Sequence, residues 1–247
     1  MEKRKIITVT SGKGGVGKSS IVSNMARILS KNKERAYIFD ADLSLGNIDI
    51  MFGIIPKFSI KDVLEGTKDI NDVIVEGPEG IKIIPATSGV SQMSELNPDE
   101  QGAILSILAA LPEYDYLIID TSAGISSNVV YFNTISQSNY VIITPDPASI
   151  MDSYATIKVL HKQSGRQDFN VIINMVKNED EAVSVFKKLI GVTDRFLDVY
   201  INFMGFLPID INVNNAVKKQ KLFVDVCPSS PAAISLTKIC DRISSIQ

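Results

Sequence analysis

Residues 12–19 read Gly-Lys-Gly-Gly-Val-Gly-Lys-Ser. The pattern Gly-x4-Gly-Lys-Ser is met by Gly12, Gly17, Lys18 and Ser19. Glycines there free the backbone N–H groups to close around phosphate oxygens. Gly14, Gly15 and Val16 complete the loop, and Ser20 follows it into the next element. At this spacing Lys18 is expected to reach the β- and γ-phosphates of a nucleoside triphosphate, and the Ser19 hydroxyl to bind Mg²⁺. Lys13 is one cation more than a single phosphate site needs. It has two readings: a side chain turned to solvent, or one crossing to a second subunit's phosphates as an arginine finger does in trans.

Three carboxylates are candidates to join the loop. One apolar run ends Ile38-Phe39-Asp40-Ala41-Asp42, and another ends Ile118-Ile119-Asp120-Thr121-Ser122. Mg²⁺ takes oxygen ligands and keeps several waters, so Asp120 fits the Walker-B position through a water and Asp40 an outer-shell one. Asp42, two residues further on, can orient or deprotonate the water that attacks a γ-phosphate. A lone aspartate in such a place would be read as a turn former or helix cap; the conjunction with the loop points to catalysis.

The elements needed to position these groups are present. Lys5 to Thr10 is a β-branched strand, and after the loop Ile21, Val22, Met25, Ala26, Ile28 and Leu29 recur at helical spacing. That order sets phosphates at the positive end of a helix. Strands are predicted at 4–10, 35–40, 81–85, 115–120, 139–144, 169–174 and 202–207, and helices at 18–31, 98–111, 126–137, 149–163, 180–190 and 230–246. Several strands are apolar on both faces, which suits a parallel sheet covered on each side. Asn97-Pro98-Asp99-Glu100 and Ser230-Pro231 read as helix starts. The expectation is one doubly wound, mostly parallel α/β domain over residues 1–247, with ligands at the carboxyl ends of its strands.

Composition narrows the setting. The chain has 247 residues, 45% of them hydrophobic, and a net charge of −3. That charge gives no general attraction to nucleic acid or anionic lipid. Cys227 and Cys240 are spaced neither as a close metal pair nor as a disulfide framework and read as reduced core thiols. With no leader-like apolar segment and no run of about 18 apolar residues, a cytoplasmic protein is expected. His161, the one histidine, has no nucleophile or second base near it in sequence and reads as a surface or boundary residue.

Lys13 to Ser19 resembles the deviant Walker A motif of MinD/ParA-type P-loop ATPases. Asp40-Ala41-Asp42-Leu43-Ser44-Leu45-Gly46-Asn47-Ile48-Asp49 resembles switch I of the MinD branch, and Asp120 to Ile125 its switch II. Within that branch the chain is most similar to the FlhG/FleN flagellar-number regulators, through Ile83 to Val90, Met93 to Leu96, Asp120 to Asn128 and Val192 to Val199. The resemblance implies an ATP-dependent homodimer that hydrolyses ATP slowly with Mg²⁺ and controls where or how many flagella are built. Its implied partner is a flagellar transcription activator or a basal-body component. By matching position, Lys13 is the signature lysine acting across the dimer and Asp42 the water-orienting aspartate. Asn174 matches the adenine-contacting asparagine, and Pro208 and Asp210 the loop around the base. A turn after a strand favours those last three residue types as well.

The resemblance stops short at both ends. Residues 1–5 lead straight into the expected first strand, so a partner contact through an N-terminal activation segment like that of FlhG-type proteins is not expected. At the other end, Leu236, Ile239, Cys240, Ile243 and Ile246 form an apolar stripe, but only Lys238 and Arg242 are cations beside it. Membrane-surface helices carry more basic residues, so this stripe is expected to pack on the sheet, with at most weak, transient contact at the inner membrane face. Lys187-Lys188 and Lys218, Lys219 and Lys221 are too few for a DNA-bound partition ATPase, and no specific nucleic acid is expected. A cluster-carrying ATPase would place cysteines near switch II, where this chain has none. A pure scaffold would not need Asp42 and Lys13. MinD-like positioning at a division site or another array would use the same nucleotide chemistry. Asp152, on the helical run from Ser149, is a candidate partner contact.

Overall fold

The computed structural model describes residues 4–31, 34–44, 46–86 and 95–245. Leu45, Thr87 to Ser94 and Ile246, which carry parts of the resemblance and of the C-terminal stripe, lie outside the described residues.

Among the described residues, eight strands form one sheet: β1 (Lys5–Thr10), β2 (Ala36–Ala41), β3 (Val75–Glu76), β4 (Lys82–Ile84), β5 (Tyr116–Thr121), β6 (Ser138–Ile143), β7 (Asp168–Val176) and β8 (Tyr200–Pro208). Their order is β3-β4-β2-β5-β1-β6-β7-β8. Every pairing is parallel except β3 with β4 at one edge. The helices are α1 (Lys18–Lys31), α2 (Ile48–Phe52), α3 (Ile60–Leu64), α4 (Ile70–Val73), α5 (Pro98–Ala109), α6 (Ser127–Ile135), α7 (Pro147–Ser164), α8 (Glu179–Phe196), α9 (Ile211–Lys218), α10 (Phe223–Val226) and α11 (Pro231–Ser245).

Alternation along the strands divides the core between two faces. Ile7, Val9, Ile38, Ile118, Ile142 and Ile172 pack with α1 and α11. On the opposite face Phe39, Leu117 and Ile119 pack with α5 and α6, and Val141, Ile143, Val171 and Ile173 with α7 and α8. Helices therefore cover both sides, as the doubly wound reading expected. The predicted caps form: the Asn97 side chain accepts from the Asp99 and Glu100 amides at 3.0 Å each, and the Ser230 hydroxyl accepts from the Ala233 amide.

The apolar stripe of α11 faces inward. Leu236, Ile239, Cys240 and Ile243 are all buried in the same cluster as Ile7 and Ile142. Cys227, in contrast, is only partly covered. No helix among the described residues is long and apolar enough to cross a membrane.

Candidate nucleotide site

The register brings the candidate residues to one edge of the sheet. β1 and β2 flank β5, with Val9 and Asp40 both opposite Asp120. The loop at 12–17 leaves the carboxyl end of β1 and enters α1 at Lys18. Gly15 and Gly17 hold φ of 77° and 87°, the left-handed region in which side chains are strained. Gly12 is required for another reason: a Cβ there would overlap the Asp152 carbonyl carbon on α7.

Lys18 is buried and donates to Asp120 Oδ1 at 2.5 Å. An ammonium has three donors, so this bond orients the side chain and leaves two for ligand oxygens. The Ser19 backbone carbonyl accepts from the Ser23 hydroxyl, in the first turn of α1. Ser20 is buried, and its hydroxyl meets no protein partner among the described residues.

Asp40 is 2% exposed. Its carboxylate accepts from the Asp42 amide at 3.1 Å and the Ile48 amide at 3.2 Å. Asp40 thus pins both ends of the 42–48 loop, a structural task that the sequence reading as an outer-shell metal group missed. Burial, and next the neighbouring Asp120, push its pKa well above the carboxylate range. Asp42 is half-buried, and its carboxylate accepts from the Ser44 hydroxyl at 3.0 Å.

Lys13 stands at the surface of the single chain, with its side chain 45% exposed. It pairs with Asp146 of its own chain, the residue whose side chain also caps α7 through the Ala148 amide at 3.1 Å. The hydrogen bond and charge of Asp146 raise the Lys13 pKa, and the Lys13 bond lowers that of Asp146. Asp146 escaped the sequence reading, although Asp146-Pro147 is a helix-start signal.

Beside the loop lies a cavity of about 250 Å³, lined among others by Gly17, Ser20, Asn174, Pro208, Asp210 and Phe223. The structure therefore brings together the three residues read as surrounding a base, but two of them have other duties. Asn174 donates to the Val16 carbonyl at 2.7 Å. Asp210 accepts from the Asn212 and Ala232 amides at 2.9 and 3.2 Å, capping α9 and meeting the start of α11. Burial alone would raise the Asp210 pKa, but its hydrogen bonds outweigh this and lower it.

His161 Nδ1 lies 2.8 Å from the Arg166 carbonyl oxygen, away from the site. Asp152 is half-buried on α7, where its carbonyl accepts from the Thr156 hydroxyl.

Comparison with known proteins identifies the family and the fold. The profile of the family described as "ParA: NUBPL iron-transfer P-loop NTPase" matches residues 2–244. The antiactivator FleN of Pseudomonas aeruginosa is 37% identical over 246 residues, covering 99% of this chain and 88% of the relative. The flagellum site-determining protein YlxH of Helicobacter pylori is 30% identical, covering 98% of this chain and 82% of the relative. In fold, the chain is similar to septum site-determining protein MinD of Pyrococcus horikoshii, solved as its complex with Mg-ADP. The TM-score is 0.78 at 19% identity, covering 99% of this chain and 97% of that one. Strand order, phosphate loop and sequence kinship agree, and the chain belongs to the ParA/MinD family of P-loop NTPases.

Proposed function

We propose that residues 1–247 act as a single ATPase domain: a cytoplasmic, dimerising switch that hydrolyses ATP to ADP and phosphate and regulates flagellar number or placement. The observation that carries this reading is the meeting of the phosphate loop, Asp42 and Asp120 at the carboxyl ends of three neighbouring strands. Similarity to the flagellum site-determining protein YlxH supports the flagellar process, and similarity to the antiactivator FleN supports a regulatory role. The Mg-ADP complex of the related fold supports the ligand.

The loop suits a triphosphate: a Cβ on Gly14 or Gly15 would meet nothing within 4 Å, so backbone amides can approach the phosphates closely. The Ser20 hydroxyl adds an unspent donor. Lys18 binds the β- and γ-phosphates with the donors that Asp120 leaves. Ser19, Asp120 and Asp40 would hold Mg²⁺, which prefers oxygen ligands, and the ion would supply neutralisation of the triphosphate's charge. Asp42 orients the attacking water.

Loops 40–49 and 120–128 read nucleotide state, and two copies associate around two nucleotides. Lys13 leaves Asp146 to complete its neighbour's site. Asn174, Pro208 and Asp210 wall the base cavity. The dimer engages a flagellar regulator or basal-body protein, with at most transient contact at the inner membrane face.

Size-exclusion with ADP and with ATP, on wild type and Asp42→Ala, tests the reading. The variant is expected to bind ATP, dimerise and lose at least about a hundredfold in turnover, the scale of a lost water-orienting group. Wild-type turnover in Asp42→Ala would remove Asp42 from the mechanism.

A further inference from the structure

Asn174 occupies an unusual point of the sheet. The β7–β8 register shifts twice, between Val171 and Ile172 and again between Ile173 and Val176. Within the second irregularity Met175 holds φ of 59°, a conformation that costs a side-chain-bearing residue free energy unless its surroundings impose it. The Asn174 side chain supplies part of that constraint, because its Oδ1 accepts from the Met175 amide at 2.9 Å. Its Nδ2 donates to the Val16 carbonyl at 2.7 Å. The orientation of the amide is fixed by chemistry, since a carbonyl only accepts and an N–H only donates.

The other side of the contact is equally close. A Cβ on Gly17, itself at φ 87°, would stand 2.5 Å from Asn174 Nδ2. Asn174 is 8% exposed and lines the nucleoside cavity. One buried amide therefore touches the strand irregularity, the cavity wall and the phosphate loop.

We propose that Asn174 is a positioning residue that shapes the phosphate loop for any polyphosphate, whatever base is attached. This rests on the nucleotide-binding reading above and changes what Asn174 contributes to it. A base contact would make Asn174 a determinant of ATP against GTP. A loop clamp makes it a determinant of phosphate affinity for both.

The experiment compares equilibrium binding of Mg²⁺-ATP, Mg²⁺-GTP and inorganic tripolyphosphate to wild type, Asn174→Ala and Asn174→Asp. The aspartate keeps the acceptor for Met175 and loses the donor to Val16. Both variants are expected to lose about tenfold in affinity for all three ligands, the scale of one buried hydrogen bond, with the GTP-to-ATP ratio kept. The double variant Asn174→Ala/Met175→Gly separates positioning from stability, because glycine adopts positive φ without strain. It is expected to recover the wild-type melting temperature and keep the affinity loss.

Loss confined to ATP, unchanged affinity throughout, or affinity that returns with stability in the double variant each overturns the proposal. A wild-type protein that binds none of the three ligands overturns the nucleotide reading itself, and the proposal with it.

Discussion

Lys13 donates to Asp146 within its own chain, and Asp146 at the same time caps α7. The cation that the dimer reading sends to a partner is therefore engaged at home. Asp146→Asn keeps an oxygen for the cap and removes the charge that attracts the lysine. The variant is expected to dimerise at roughly twofold to fivefold lower ATP concentration, the scale of an exposed ion pair. The gain should shrink in high salt. Light scattering against ATP concentration measures it. Weaker dimerisation would show instead that Asp146 helps deliver Lys13.

Asp40 makes a pH prediction. Its folded pKa is raised, first by burial and next by Asp120, whereas the unfolded chain titrates near the ordinary value of about 3.9. Below that value both states hold the proton and stability is at its fullest. As pH rises, the unfolded chain ionises first and stability is lost until the folded carboxyl ionises too. Asp40→Asn cannot ionise, so its unfolding free energy should gain on wild type from about pH 4 upward, by up to roughly 1.4 kcal/mol per pH unit. Asp115, which Arg35 lowers, and Asp210 act in the opposite direction. They are common to both proteins and cancel in the difference. Urea unfolding from pH 4 to 8 reads it, and a flat difference would mean that Asp40 titrates as it does in the unfolded chain.

The fold was legible where apolar runs were long. Strands β1, β2, β5 and β6 announce themselves, and α1 follows from its periodicity. The short helices did not, because α2, α3, α4 and α10 have only four or five residues each, too few for a period to show. Their caps offered a signal: Ser59 with Asp62 and Asp69 with Asp72 form capping boxes. α8 continues past the expected 190 to Phe196, through Gly191, which lowers helix propensity without ending the helix. At the site, strand–loop–helix order placed Lys18, Ser19 and Asp120. The Lys13–Asp146 and Asn174–Val16 contacts join residues far apart in sequence and belong to the tertiary fold.

Two glycines of the loop should behave oppositely. An added Cβ on Gly12 meets the α7 backbone at Asp152 and Ser153, while one on Gly14 meets nothing within 4 Å. Backbone cannot swing aside as a side chain can. Gly12→Ala is expected to destabilise the fold by roughly 1–3 kcal/mol or more. Gly14→Ala should stay within about 0.5 kcal/mol of wild type. Thermal melts without ligand make the comparison, and equal melting temperatures would mean that α7 does not press on the loop.

The C-terminal helix decides between core and membrane. Leu236 is fully buried among residues that include Ile7, Ile142 and Ile172. Two further bonds fasten α11: Arg242 donates to the Met204 carbonyl at 2.9 Å, and Lys5 to the Ile243 carbonyl at 3.3 Å. A helix held this way cannot offer the same apolar stripe to lipid without unpacking from the sheet. Leu236→Ala should therefore cost about 2–5 kcal/mol of stability, as core truncations do, and leave binding to anionic vesicles unchanged. If the variant keeps its stability but loses vesicle binding, the stripe serves the membrane and α11 is only loosely part of the core.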